Sequence, residues 1–494
     1  MTDETRRVGG NVRELPPGRG PWRWVRRLAL GAVALAVAVV AGHGAWGRHA
    51  AARLDAALGA YRAAGDAVDP AALAPAVPVP DAENAALDWM EAGAVFDSGA
   101  AAVRALYSLD DVSLPLDEAE LKAIGKAARV SREALRRAEV AAGKARADWK
   151  RGADPAAWLG AVPWYRAGKE LDGLIAFEAL RAHQLGDDRG AVARVRQLLA
   201  LARAVDGDPI LYAHDTASGL FAEACELLFQ IAPRLTPGEE SGRASPAALR
   251  ALIAELLDDG PAHDALVRAI KGERLIRYLR ARSFAERETY LDDRAIQGWD
   301  SWAIAYAYRP LALADAVILM RHADEVGAAV AVARDWPTVE RGRALSQPAE
   351  VRESPTLHAV AGLLSPRRER GLRLHYNALA LRRLAATALA ARLFAADHGG
   401  ARPAELDELV PAYLPAVPVD PMAAGGRAIG YRNDGPQPAV YSVGDDGSDD
   451  SGSERPRDRR GELSTNLAVR RWETRDAVVH LLPQPRIREV EEEE

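Results

Sequence analysis

The chain holds a single cysteine, Cys225, in 494 residues. That excludes an intramolecular disulfide and any zinc cage built from thiolates. Lysine is also scarce, with six residues against 58 arginines. Together with the abundance of alanine, this reads as a GC-rich coding sequence and not as a functional signal. Net charge is −6 and the isoelectric point lies near 6.0, so there is no bulk basic footprint for nucleic acid. Neither Gly-x-x-x-x-Gly-Lys-Ser/Thr nor Gly-x-Gly-x-x-Gly occurs, which leaves out the usual phosphate cradles. His322-Ala323-Asp324-Glu325 has no second histidine at the spacing a zinc helix needs. Ser218-Gly219 lacks the flanking glycine of a nucleophile elbow. His214-Asp215 can cap a helix or act as a base. Cys225 sits inside the apolar stretch FAEACELLF and reads as a small buried hydrophobe. No catalytic or cofactor-binding constellation is legible.

What is there is ordinary globular composition, 49% apolar and 27% charged, with length enough for two to four domains. One long apolar run stands out. Residues 28–46, LALGAVALAVAVVAGHGAW, carry no charge over 19 positions. As a helix they span about 28 Å, close to a hydrocarbon core. Trp22, Trp24 and Trp46 flank the run where aromatic belts form. Seven arginines precede it, and only Arg48, Arg53 and Arg62 follow in a comparable window. The positive-inside rule then puts the N-terminus in the cytoplasm and the rest outside, as a single-pass protein of the cytoplasmic membrane with a periplasmic body. A cleavable signal peptide is the competing reading.

The sequence divides into a disordered cytoplasmic tail (1–27), the anchor (28–46) and a helical stalk with a Pro-rich linker (47–80). An α-helical body (81–365), a helix with a small β domain (366–485) and an acidic tail (486–494) follow. The body's helices show a 3.6-residue apolar period, as in Val192, Val195, Leu198, Leu199 and Ala202. Breaks are expected at Gly186-Asp187 and Asp206-Gly207. Cap signals stand at Thr236-Pro237-Gly238-Glu239, Ser245-Pro246, Ser354-Pro355 and Ser365-Pro366. The apolar stretch 303–320 is not a second span, because Arg309, Pro310 and Asp315 interrupt it. Trp158, Trp164 and Tyr165 form an aromatic patch that reads as a packed loop or a contact surface. The charged run from Lys271 to Arg287 reads as a solvated helix face held by i,i+4 pairs. A long helix is expected over 368–397, with a narrow stripe of Leu374, Ala378, Leu381, Ala385 and Ala388. Strands are expected at 428–432, 439–443 and 477–482.

The last part carries Pro418-Val419-Asp420-Pro421, Gly430-Tyr431 and Tyr441-Ser442-Val443-Gly444-Asp445-Asp446-Gly447. Behind a long helix, these pieces resemble the C-terminal domain of the type II secretion major pseudopilins. The resemblance covers under a fifth of the chain. As a whole the chain is similar to large membrane-anchored helical proteins of planctomycete-like bacteria. Two departures matter. The pseudopilin cleavage site before the apolar helix is missing, and Met422 replaces the aromatic residue usual after Asp-Pro. Processing by prepilin peptidase is therefore not expected.

The resemblance implies a calcium loop after Tyr-Ser, with Asp446 as the position carried over. Independently, Asp445, Asp446, Asp449 and Asp450 lie within six residues, an oxygen-rich loop of the kind calcium takes. The alternative is an acidic loop neutralised by Arg455, Arg457, Arg459 and Arg460. The fold expected is mainly α (α+β overall), an irregular helical array with a small C-terminal antiparallel sheet on a long helix. The function expected is a non-enzymatic envelope protein whose partners are the membrane and other envelope proteins, with no nucleic acid and no identifiable small-molecule substrate. A helical-repeat scaffold without metal, or an envelope enzyme with a site assembled from distant residues, are the alternatives.

Overall fold

The computed structural model describes residues 22–75, 77–109, 112–160, 162–286, 302–342, 347–365, 369–457, 463–464 and 467–485. The tail before Trp22, the cap signal at Pro366 and the acidic terminus fall outside the described residues. The fold is mainly helical with one small antiparallel sheet. Helix α1 is Trp22–Ala63. Next come α2 (Ala85–Val95), α3 (Ala101–Tyr107), α4 (Glu118–Val130), α5 (Arg132–Ala142) and α6 (Pro155–Leu159). The middle of the chain gives α7 (Asp172–Gln184), α8 (Asp188–Asp206), α9 (Leu211–Ile231), α10 (Pro246–Leu257) and α11 (Gly260–Glu286). They are followed by α12 (Trp302–Val332), α13 (Trp336–Arg341), α14 (Ala349–Glu353), α15 (Ala359–Leu364) and α16 (Glu369–Asp397). Strands β1 (Gly430–Arg432) and β2 (Ala439–Ser442), helix α17 (Leu467–Glu473) and strand β3 (Ala477–His480) complete the described elements.

Local chemistry explains many boundaries. Asp187 begins α8 by accepting the Gly190 N–H at 2.9 Å. Ser245 accepts from Ala248 N at 3.2 Å, with Pro246 at the first helical position. Asp117 and Glu120 form a reciprocal capping box on α4. The Thr236 signal fails: residues 236–244 are turns, and α10 starts only at Pro246. Two glycines in this segment, Gly238 and Gly242, let the chain fold back, so that Gly238 N donates to Ala244 O at 3.0 Å. Ser354 likewise starts a turn and not a helix.

The strands pair in the order β1-β2-β3, with Tyr431 opposite Val440 and Val440 opposite Val479. The sheet is not a separate body. Val440 and Val479 belong to the same apolar core as α7, α8, α9 and α16. Helix α16 is buried nearly all round from Leu372 to Ala395, so the expected narrow stripe is too small. Helices α9 and α10 and strand β2 all pack on it, and they leave no solvent face.

Helix α1 has two halves. From Leu28 to Ala41 every residue is exposed. Beyond it, Ala50, Leu54 and Leu58 are buried in one apolar cluster with residues of α11, α12 and α15, and α12 packs along them. The expected stalk is therefore packed into the body. Helix α12 runs unbroken through Pro310. Its Asp315 is buried, beside His358 Nδ1 at 2.7 Å and accepting the Ala361 N–H at 2.8 Å. Among the described residues, α1 is the helix long and apolar enough to cross a membrane.

Candidate functional site

A cleft of about 640 Å³ lies where the end of α1, the segment 147–152, the α8–α9 turn and α11 meet. Each wall has a local cause. Gly65 takes φ +79° and ends α1, so that Asp66 N returns to Tyr61 O at 2.9 Å. The segment 147–152 is held by Asn84, a fully buried residue. Its Nδ2 donates to Asp148 O at 2.8 Å, and its Oδ1 accepts from Asp148 N at 2.9 Å and from Ala86 N at 3.1 Å. One side chain thus caps α2 and pins the cleft wall. Lys150 sits at φ +52°, a conformation uncommon for a side-chain-bearing residue. The Asp148 carboxylate supports it by accepting Lys150 N at 3.0 Å.

Behind this wall, Asp208 Oδ2 accepts from Trp164 Nε1 at 2.8 Å and Arg151 Nε at 3.1 Å. Burial pushes the Asp208 carboxyl up, and Arg151 opposes that shift. The Arg151 guanidinium also lies over the Trp158 ring, 5.1 Å from its centroid. On the far side, Arg274 of α11 bridges Asp324 at 2.8 Å and Asp66 at 3.2 Å, with its guanidinium over Tyr61. Its Nε is buried without a hydrogen-bond partner.

Two sequence expectations change here. Trp158 and Trp164 are packed, but Trp158 also lines a cleft, and Tyr165 points to solvent. The charged run of α11 is not a solvated face: Arg274 and Arg277 are buried, although Arg277–Glu273 and Arg282–Glu286 are i,i+4 pairs. The run mixes charges with Leu275, Ile276 and Leu279, and α12 covers it on one side.

In the aspartate loop, three of the four carboxylates face arginines. Asp445 lies 3.4 Å from Arg373 and 3.6 Å from Arg457. Asp449 pairs with Arg427, and Asp450 pairs with Arg475 at 2.8 Å. Asp446 is exposed and accepts the Ser448 N–H at 2.9 Å. Burial opposes ionisation of Asp449, yet Arg427 and the Ser451 N–H outweigh it and hold the carboxyl below its usual range. Among the described residues, no three acidic, histidine or cysteine side chains converge as metal ligands would. As arranged here, Asp445, Asp449 and Asp450 each face an arginine, and Asp446 faces solvent. Of the downstream arginines, Arg457 reaches the loop, and Arg459 and Arg460 lie outside the described residues; the other partners come from α16, from the segment before β1 and from the approach to β3.

Asp420 is fully buried and serves the same region structurally. It accepts from Ser442 Oγ, Val443 N and Met422 N, at 2.8, 2.8 and 2.9 Å. It ties the Asp-Pro segment to the end of β2.

His214 lies in α9, buried, with Nδ1 2.7 Å from Asp206 Oδ1 and Nε2 3.1 Å from His375 Nδ1. The outer nitrogen of His375 is buried without a partner. The two partners of His214 lie eight and 161 positions away in sequence, so no local motif marks the group. Cys225 is buried, and burial pushes its thiol up. No family model, curated protein or solved structure matches the chain.

Proposed function

We propose that the chain is a single-pass envelope protein of the cytoplasmic membrane, with its N-terminus inside and its body in the periplasm, and that it works by binding and not by catalysis. One observation carries this reading. Helix α1 is a single continuous helix whose first half is apolar and wholly exposed, while its second half is part of the body's core. An exposed apolar stretch of this length needs a nonpolar solvent. The continuity favours an uncleaved anchor over a signal peptide. Residues where cleavage would fall are helical and already engage α12: His43 Nε2 lies 3.2 Å from Ala307 O, and Gly47 faces Arg309 and Pro310. A fixed anchor sets the height of the body above the bilayer, which suits a protein that meets a ligand or another envelope component there.

The test is fractionation of cells with alkaline carbonate, followed by protease treatment of spheroplasts. The chain should stay with the membrane and lose its body to external protease. Release by carbonate would refute the anchor, and protection of the body would refute the orientation.

A further inference from the structure

Every carboxylate on the cleft wall already holds a cation. Asp208 holds Arg151 at 2.9 Å, Asp148 holds Lys150 at 3.1 Å, and Asp66 shares Arg274 with Asp324. Two cations are left over. Arg268 and Lys271 line the same cleft from one face of α11, three residues apart. Both are exposed, and among the described residues the carboxylates that line the cleft are each paired with another cation instead. Like charges at this spacing repel. Beside them the Arg274 side chain, only 2% exposed, keeps its Nε–H without an acceptor. A buried guanidinium N–H left unmet is costly. The surplus positive charge at the mouth calls for an oxyanion.

The size and position of the cleft narrow the occupant. Its volume of about 640 Å³ is in the range that encloses a small organic molecule. A bare ion needs far less, so the anion is one group on a larger body. Position argues against a lipid. Tyr61 beside Arg274 stands 15 residues beyond Trp46, which is about 22 Å along a helix. The headgroup layer is only about 5–8 Å deep, so a lipid phosphate falls short.

We propose that this cleft binds a water-soluble small molecule bearing a phosphate or carboxylate group, gripped by Arg268 and Lys271 at the mouth with Arg274 behind them. This rests on the reading of the chain as a membrane-held binding protein, and it names the site and the ligand chemistry. The Lys150–Arg151 turn supplies the opposite wall. Trp158 offers an apolar edge for the ligand's body, since its Nε1 already donates to Gly152 O at 3.0 Å.

The test is titration calorimetry of the full-length chain in maltoside micelles with glucose 6-phosphate, citrate, inorganic phosphate and dihexanoyl phosphatidic acid. At least one of the two organic anions should bind saturably at one site, more tightly than inorganic phosphate. The double variant Arg268→Glu/Lys271→Glu should weaken that binding at least about tenfold while melting like the parent without ligand. Should the double variant melt lower, Lys271→Gln alone must still weaken binding. No saturable binding of glucose 6-phosphate or citrate, unchanged affinity in the variants, or binding of phosphatidic acid only would each overturn the proposal. Fractionation answers the membrane reading separately. A chain released by carbonate that binds citrate loses the anchor and keeps the site; a membrane-held chain that binds neither organic anion loses only the site.

Discussion

Gly272 of α11 runs so close to Pro209 that a β-carbon built on it would stand 1.6 Å from the Pro209 carbonyl oxygen. This contact joins α11 to the α8–α9 turn and sets the width of the cleft between Arg274 and Asp208. The obstacle is backbone, so a small shift of a side-chain tip cannot relieve it. Gly272→Ala should therefore force α11 away from the turn and destabilise the chain by about 1–3 kcal/mol. Thermal unfolding of the full-length chain in micelles reads this directly. An unchanged melting temperature would mean that the turn yields freely and does not fix the cleft.

The buried His214–His375 pair predicts acid sensitivity. Burial holds His375 well below its ordinary range, and His214, His263, Arg382 and Arg383 add to the shift. Asp206 faces His214 on the other side, and Arg334 lies on His263 at 2.7 Å. The unfolded chain takes up a proton at this residue near pH 6.5, and the folded chain does not. Stability from His375 is thus complete above about pH 6.5 and falls below it, by about 1.4 kcal/mol per pH unit at most. His375→Leu should flatten this slope. The comparison is the melting temperature of the two proteins between pH 7.5 and 5, in steps of about half a unit. Parallel curves would remove His375 as the cause.

Asp420 predicts a structural loss. Burial pushes its carboxyl up, while the Val443 and Met422 N–H groups and the Ser442 hydroxyl pull it down. Asp420→Ala leaves those three donors without an acceptor in a site closed to water. The expected loss is about 2–4 kcal/mol, with a smaller loss for Asp420→Asn, which keeps one oxygen. Denaturant unfolding of parent and variants checks the order. Equal stability of the alanine variant would mean that water or a shifted backbone replaces the carboxylate.

At the aspartate loop, calcium has to displace Arg373 and Arg457 from Asp445, Arg427 from Asp449 and Arg475 from Asp450. Calcium at about 1 mM, where weak extracellular sites fill, should therefore shift the melting temperature no more than chelator does. A rise with calcium that Asp446→Asn abolishes would restore the metal to the loop.

The apolar run of α1, the helices from Leu171 to Ala232 and the long helix ending at Asp397 are legible from sequence. So are the three strands, because each is set by local periodicity, glycine and caps. Local signals also mislead where they stand alone. Thr236 precedes proline and glutamate as a capping residue should, yet the following glycines turn the chain before a helix forms.

The sequence by itself determined the mainly helical class, the single apolar helix at the N-terminus and the small sheet at the other end. These depend on spacings of two to four residues, which the backbone geometry turns directly into faces. Only the tertiary structure decided that the second half of α1 is core, that Asp445, Asp449 and Asp450 go to arginines from four segments, and that Lys150, Arg268 and Arg274 share a cleft. Asp208 and Arg151 are 57 positions apart, and Arg274 and Asp66 over 200. Pairings at such separations are chosen by which helices pack together and which charges are shut off from water, and no short window of sequence carries that choice.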